Sequence, residues 1–417
     1  MRTRHVPCGP AKYSPVLRPP VNGERARLTA VVFVVLFTQL LVYPGVDQLV
    51  AVLGGEPTID AGTAFLGVQL LAFVCFAAVW GALSDRAGRR TPFIVAGALG
   101  GAVTYLALVG IVVAGVGDFR LALVLRFVEG AFTIGAFSLA ITMLMDLGGG
   151  HGRNMGAAGV AVGAGAALGA PVGGALYALG PLAPLVASSG LLVVVVALVT
   201  TLEDRAPTDR AGVREVVVGI RRTPELLVPY AFGFADRFAA GFFGLVGTFY
   251  FRQSFGLDPA ATGLVLACFF APFALLQYPL GTLSDRIGRV VPIVAGSVGF
   301  GAAILAVGLA PTVELAAAGM VLVGVLGALV APATMALVTD IAGVGERGVA
   351  MGGFNIFGSL GFLGGILVGG WIAARYDFLA AFAVAGALEV IVVLVALPVL
   401  LRIAPDPTAT FGSPRES

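Results

Sequence analysis

Of 417 residues, 58% are hydrophobic and 12% charged, and the mean hydropathy is +1.00. Soluble domains carry about 25% charged residues, so this composition excludes a soluble globular protein and places the chain in a bilayer. A net charge of +2 gives no sign of a nucleic-acid partner, and three scattered cysteines, Cys8, Cys75 and Cys268, make neither a disulfide framework nor a metal-ligand spacing.

A membrane-crossing helix needs roughly 20 mostly apolar residues. Twelve such runs occur, at about 28–50, 62–83, 92–115, 120–144, 154–177 and 182–202, then 226–251, 260–280, 291–310, 314–338, 349–373 and 378–402. Residues 1–27 are basic and contain prolines, and the run after them is too long for a signal-peptide core, so it is expected to stay as a span. Within it Gln39 is a candidate to line a cavity, and Tyr43, Pro44 and Gly45 predict a kink or early end near residue 44. Asp47 falls near the outer interface, either as a solvated helix end or as part of an outer mouth.

The second run ends in GALSDRAGRRTP, residues 81–92, and a close copy, GTLSDRIGRVVP, begins 200 positions later at Gly281. Each is a short charged turn between two apolar helices, and Gly88 or Gly288 lets it turn tightly. Asp146 stands seven residues before Arg153, and Asp340 seven before Arg347. The chain therefore reads as a duplication. The pattern G-x-L-x-D-R-x-G-R resembles the loop between the second and third membrane helices of the major facilitator superfamily, which that family repeats in its second half. The resemblance implies an all-α polytopic membrane protein of twelve transmembrane helices in two six-helix bundles related by a pseudo-twofold axis. It also implies an inner gate, locked when the cavity opens outward. Asp85 and Asp285 would accept N–H groups at the N-terminus of a helix from the other half. Arg89 would pair with Asp146 and Arg289 with Asp340, with Arg86 and Arg286 completing the two loops.

The fourth span holds Arg126 and Glu129, about 9 Å and 13 Å deep at 1.5 Å per residue. Residues three apart share a helix face, and ionisable groups at this depth face a partner or a water-filled cavity. Both a structural ion pair and a role in proton coupling fit. The pair is similar to the family's fourth-helix pattern R-x-x-Q-G, with glutamate in place of glutamine.

In the fifth span GAGAALGAPVGG, with Gly165, Gly169, Pro171, Gly173 and Gly174, resembles the glycine-proline signature found largely in the family's proton-exchanging exporters. Ala170 interrupts the match, and four-residue glycine spacing also serves close helix packing in its own right. Gly361, Gly365 and Gly369 repeat that spacing in the eleventh span.

Residues 203–225 are the one long polar connector, and Val213, Val216, Val217 and Ile220 form an apolar stripe flanked by Arg214, Arg221 and Arg222. A short helix on the inner membrane surface is expected. The seventh span carries Asp236 and Arg237 roughly 15 Å from its inner start. Neighbours on a helix point about 100° apart, so the two serve different partners. Phe238 and Phe242, four apart, are the best candidates to line a cavity. Glu389 lies midway along the twelfth span, where the family's peripheral last helix implies a packing or lipid-facing role.

Twenty of the 25 basic residues fall on one side if the N-terminus is inside, against Arg120, Arg252 and Arg375 outside. Both termini are thus predicted to be cytoplasmic. The expected division is an inner tail at 1–27, a bundle at 28–202, a linker at 203–225, a second bundle at 226–402 and a tail at 403–417.

Lys12 is the only lysine, so no Walker-type phosphate loop exists. No zinc or nucleophile-elbow motif appears either, which points away from an enzyme and from any cofactor. Secondary active transport by alternating access remains, in the plasma membrane and by a monomer. Glu129 beside Arg126 is the first candidate to carry the coupled proton, and Asp236 beside Arg237 the second. Only three Asn and five Gln occur, which suits amphiphilic or drug-like substrates better than sugars. Two alternatives stay open: proton-coupled import of a small organic acid held by Arg126 or Arg237, and a transporter-like sensor that moves nothing.

Overall fold

The computed structural model describes residues 21–147, 151–204, 213–343 and 346–403, so most of the expected tails lies outside the described residues. Every regular element among them is helical. The chain begins with α1 (Val21–Leu40), makes a 3-10 turn at Tyr43–Gly45 and continues as α2 (Val46–Val52). Pro44 supplies no N–H to an α-helical ladder, so the first crossing breaks near residue 44. Five helices complete the first half: α3 (Ile59–Ala87), α4 (Thr91–Val113), α5 (Phe119–Asp146), α6 (His151–Tyr177) and α7 (Ala183–Val199).

The connector forms α8 (Val213–Arg222), whose Val216 is buried and whose Ile220 packs against the cluster that holds Tyr230, Ala350 and Phe354. The seventh crossing is α9 (Leu227–Phe242), a π-helical turn at Phe243–Gly247, and α10 (Thr248–Ser254). Then come α11 (Pro259–Ile287), α12 (Val290–Gly308), α13 (Val313–Ile341), α14 (Arg347–Arg375) and α15 (Phe378–Ile403). Ten segments are long and apolar enough to cross a bilayer by themselves. The 17-residue α7 and the divided α9–α10 bring the crossings to twelve.

The halves repeat each other down to their caps. Thr58 accepts a hydrogen bond from the Ala61 N–H at the start of α3, and Asp258, 200 positions on, accepts one from Ala261 at the start of α11. Such side chains satisfy donors that the helix itself leaves unpaired. At the other end of these two helices Gly88 and Gly288 have φ of 63° and 85°, the left-handed region that glycine enters without a Cβ penalty.

Helix pairing repeats as well. The stripe Gly165, Gly169 and Gly173 faces residues Phe33 to Leu41, along α1 and just past its end. Its counterpart, Gly361, Gly365 and Gly369, faces Phe234, Phe238 and Phe242 of α9. Across the boundary α6 runs along α11, and α14 runs along α3. This reciprocal pairing is what a pseudo-twofold axis between two bundles requires.

We call the face with Arg89, Arg289 and both described chain ends the inner face. Contacts between the halves gather toward the opposite, outer face. Gly174 abuts Pro259 and Ala260, Gly62 abuts Phe249, and Gly370 abuts Thr63. Gly163 lies opposite Ala274, so the α6–α11 contact reaches at least that far inward. Beyond it Gly81, Gly156, Gly159 and Gly352 have no neighbouring heavy atom within 4 Å of an added Cβ. The molecule is closed outside and open inside.

Candidate functional site

A buried ionic centre sits within the first half. Gly130 of α5 has no side chain, so the backbone of α3 comes close enough that an added methyl would strike the Gln69 carbonyl. That approach brings Gln69 to Arg126, whose Nη2 donates to Gln69 Oε1 at 2.5 Å. Arg126 Nη1 donates to Glu129 Oε2 at 2.9 Å and to the Tyr105 hydroxyl of α4 at 3.3 Å. Gln39 of α1 donates to Glu129 Oε1 at 3.3 Å and to Thr133 Oγ1 at 3.4 Å. The Phe65 ring lies 5.0 Å beneath the guanidinium, a cation–π contact that the burial of Arg126 strengthens.

Arg126 and Glu129 are both fully buried. Isolated charges at such depth are costly, and pairing with hydrogen bonds on the remaining atoms is what makes them tolerable. Three polar atoms around the pair remain without partners: Gln39 Oε1, Gln69 Nε2 and Arg126 Nε. Four helices thus meet on one ion pair with hydrogen-bonding capacity to spare.

The structure joins Arg126 and Glu129 directly, while Gln39 departs from expectation. Gln39 lines no open cavity; it is 5% exposed and bound to Glu129. Phe238 and Phe242 are likewise not cavity residues here. Phe238 packs against Gly364 and Gly365 of α14, and Phe242 meets Phe243 and Phe382 edge to face, because the α14 glycine stripe draws that face of α9 into the bundle. Asp236 and Arg237 diverge, as adjacent helix positions must. Arg237 lies over Gly358 of α14, and Asp236 turns into the second bundle, toward α15.

At the inner face the two signature loops differ. In the second, Arg289 donates to Asp340 at 3.1 Å, to Asp285 at 2.5 Å and to Ser284 at 3.2 Å. In the first, the expected Arg89–Asp146 pair is not formed, and Arg90, fully buried, holds Asp146 instead. The cause lies in Asp204, beyond α7. It accepts the backbone N–H groups of Arg90 and Thr91 at 2.8 and 3.2 Å, and draws Arg89 outward to an ion pair at 3.4 Å. Position 290 is valine, so the second loop has no such choice. Asp85, Arg86 and Arg286 are exposed, and among the described residues no helix N-terminus of the other half caps Asp85 or Asp285. That agrees with an inner face that stands open.

At the outer face two ion pairs join the halves. Arg252 of α10 donates to Asp47 of α2 at 2.7 Å, and Arg375 of α14 donates to Asp60 of α3 at 3.0 Å. Of the four residues, only Asp47 stands out in the sequence, because the other three look like ordinary polar helix ends. Gln69, Tyr105 and Arg90 also escape sequence reasoning. A lone Gln in an apolar helix is the one signal that could have found Gln69.

Twelve crossings in two reciprocal bundles, closed on one face and built around a buried ion pair, define a membrane transporter and not an enzyme. A family model, Major Facilitator Superfamily, matches residues 28–250 and 230–417. The chain belongs to the Major Facilitator Superfamily.

Two curated relatives are similar over part of their length. Multidrug resistance protein 1 of Bacillus subtilis is 31% identical over 143 residues, 33% of this chain and 37% of that protein. Multidrug efflux pump LfrA of Mycolicibacterium smegmatis is 30% identical over 129 residues, 31% of this chain and 23% of that protein. The matches thus span about two fifths of these relatives or less.

Among solved structures, a bacterial homolog to the human lysosomal transporter Spinster, in an inward-facing and occupied conformation, has a TM-score of 0.76 at 12% identity, covering 94% of this chain and 99% of that one. Nucleoside transporter NupG has a TM-score of 0.69 at 12% identity, covering 90% and 98%. At these identities the likeness is one of fold.

Proposed function

We propose that this chain is a proton-coupled exporter of amphiphilic or drug-like small molecules in the plasma membrane. It works as a monomer by alternating access between bundles at 28–202 and 226–402, with both termini cytoplasmic. The observation that carries this reading is the Arg126–Glu129 centre, which ties α1, α3, α4 and α5 together through one carboxylate and one guanidinium.

A proton on Glu129 cancels the charge that holds Arg126 and weakens the acceptor that holds Gln39. The α1–α5 contact then loosens close to the break at Tyr43–Gly45, and Arg126 is left to find another anion or water. Proton binding is thereby tied to helix packing. The multidrug names of the two curated relatives and the scarcity of amide side chains support the substrate class.

The test uses proteoliposomes loaded with a pH dye and offered ethidium. Wild type is expected to move ethidium against protons, and Glu129→Gln to retain ethidium counterflow while losing its dependence on ΔpH. Wild-type transport indifferent to ΔpH refutes the reading.

Import of a small organic acid is a second reading, favoured by Arg237. It is half-buried, lies beside Gly358 and forms no ion pair among the described residues, so its guanidinium is free to take a carboxylate. In that case protons and substrate enter the vesicle together.

A further inference from the structure

The twelfth crossing carries an acid that this scheme leaves unused. Glu389 of α15 is 1% exposed, and neither carboxyl oxygen has a hydrogen-bond partner. It faces inward onto α12, where Gly301 and Gly386 bring the two helices so close that a methyl on either would strike the other's carbonyl. There the Ser297 hydroxyl, itself fully buried and unpartnered, faces the carboxyl. Asp236 of α9 completes the group, near enough to act on Glu389 by charge, and its Oδ1 is also sealed off without a partner.

Three helices thus bring buried polar atoms without partners into one neighbourhood. About one turn toward the inner face, Phe232, Ile293 and Val393 close the chamber as part of one apolar cluster. About one turn the other way, Ala239, Phe300 and Ala385 close it as part of another. None of these six is more than 3% exposed. The charged groups on the packed elements are few. Arg237 is next along α9 and lies over Gly358, α12 has none within its span, and the others stand at or near helix ends: Glu314 and Asp340 of α13, Arg347 and Arg375 of α14, and Arg402 of α15.

Two carboxylates in such apolar surroundings do not both stay charged, because each is desolvated and repels the other. A bound metal cation of the calcium type asks for six to eight oxygens, and two carboxyls with one hydroxyl offer fewer. A proton needs only two. Asp236 is half-buried, whereas Glu389 is 1% exposed, so Asp236 is the member of the pair nearer the molecular surface.

We propose that Glu389, Asp236 and Ser297 form a second proton-binding site, in the second half, where one proton is shared between the two carboxyls. The proton comes from water onto Asp236 and passes to Glu389, with Ser297 donating to whichever oxygen is left bare. Only O–H bonds form and break. As a coupling site it rests on the reading of proton-driven transport; as a proton site it stands on this chamber alone.

The experiment is pH-difference infrared spectroscopy of the purified full chain, which reads protonated carboxyls directly. Wild type is expected to show a protonated-carboxyl band that grows as pH falls, is lost in Glu389→Gln and is displaced in Asp236→Asn. If Glu389→Gln fails to fold, Ser297→Ala keeps both acids and is expected to shift the same band. A band unmoved by these changes overturns the proposal, as does a band removed by sodium at constant pH. In ethidium proteoliposomes Glu389→Gln is expected to lose ΔpH-driven efflux and keep counterflow, and retained ΔpH-driven efflux removes its coupling role. Should wild-type transport ignore ΔpH, proton-driven export fails while the infrared band still decides the site.

Discussion

Arg252 Nε lies 2.7 Å from Asp47 Oδ2, joining the outer end of the first crossing to the outer end of the seventh. Both side chains are mostly shielded, and Arg252 also donates to the Leu257 carbonyl at 3.2 Å. A hydrogen-bonded charge pair of this kind contributes about 1.5–3 kcal/mol. Arg252→Ala is therefore expected to shift the outer-closed to outer-open ratio by at least about tenfold. Spin-label distances between the outer ends of α2 and α10 read that shift, and exchanging the two charges is expected to restore the distribution.

The matching pair on the other flank predicts a different result. Arg375 and Asp60 are each 55% exposed, so solvent screens them and their pair is worth about 0.2–1 kcal/mol. Asp60→Asn is expected to leave the same distances within the spread of wild type. Equal effects at the two pairs would show that both flanks carry the latch.

Within the buried centre, removing one partner is worse than removing both. Glu129→Ala strands the Arg126 guanidinium between Tyr105 and Phe65 without its anion, and breaking a buried pair this way costs about 3–5 kcal/mol. Arg126→Ala strands the carboxylate at similar cost. The double variant is expected to lose clearly less than the sum of the two, since neighbours that share a network do not add. Thermal unfolding in detergent across the four proteins measures the difference.

Much of this was legible in the chain because membranes simplify the code. Each crossing is an apolar run of fixed length, and two copies of one turn 200 positions apart announce two bundles before any contact is known. What sequence cannot supply is azimuth. A helix that is apolar all round has no marked face, so nothing in α15 says whether Glu389 meets lipid or Ser297. The α9 phenylalanines read as cavity wall until the glycine stripe of α14 is seen to claim that face. Arg89 and Arg90 differ by one position, and only the Asp204 cap, more than a hundred residues away, decides which of them reaches Asp146.

The two glycine stripes make a packing prediction with a built-in control. A methyl at Gly365 would overlap the Phe238 carbonyl, and one at Gly173 would overlap that of Leu41. Neither backbone atom can move without parting two helices, so Gly365→Ala and Gly173→Ala are each expected to cost about 1–3 kcal/mol. Gly159, on the same helix as Gly173, has no neighbour within 4 Å of an added methyl. Gly159→Ala is expected to change stability by no more than about 0.5 kcal/mol. Thermal shifts of the three variants in one detergent distinguish a packing stripe from a generally glycine-rich helix.

The exchange of roles in the first signature loop gives the last prediction. Arg90 is fully buried against Asp146, whereas the Arg89 side chain is 69% exposed beside Asp204. Arg90→Ala removes the cation facing Asp146 and leaves a poorly filled space under the turn, an expected loss of about 1–3 kcal/mol. Arg89→Ala strips an exposed pair and is expected to stay within about 0.5 kcal/mol of wild type. In the second loop Arg289 serves Asp340, Asp285 and Ser284 at once, so Arg289→Ala is expected to behave like Arg90→Ala and not like its sequence counterpart. Chemical denaturation of the three variants checks the order, and a larger loss at Arg89 than at Arg90 would return Asp146 to Arg89.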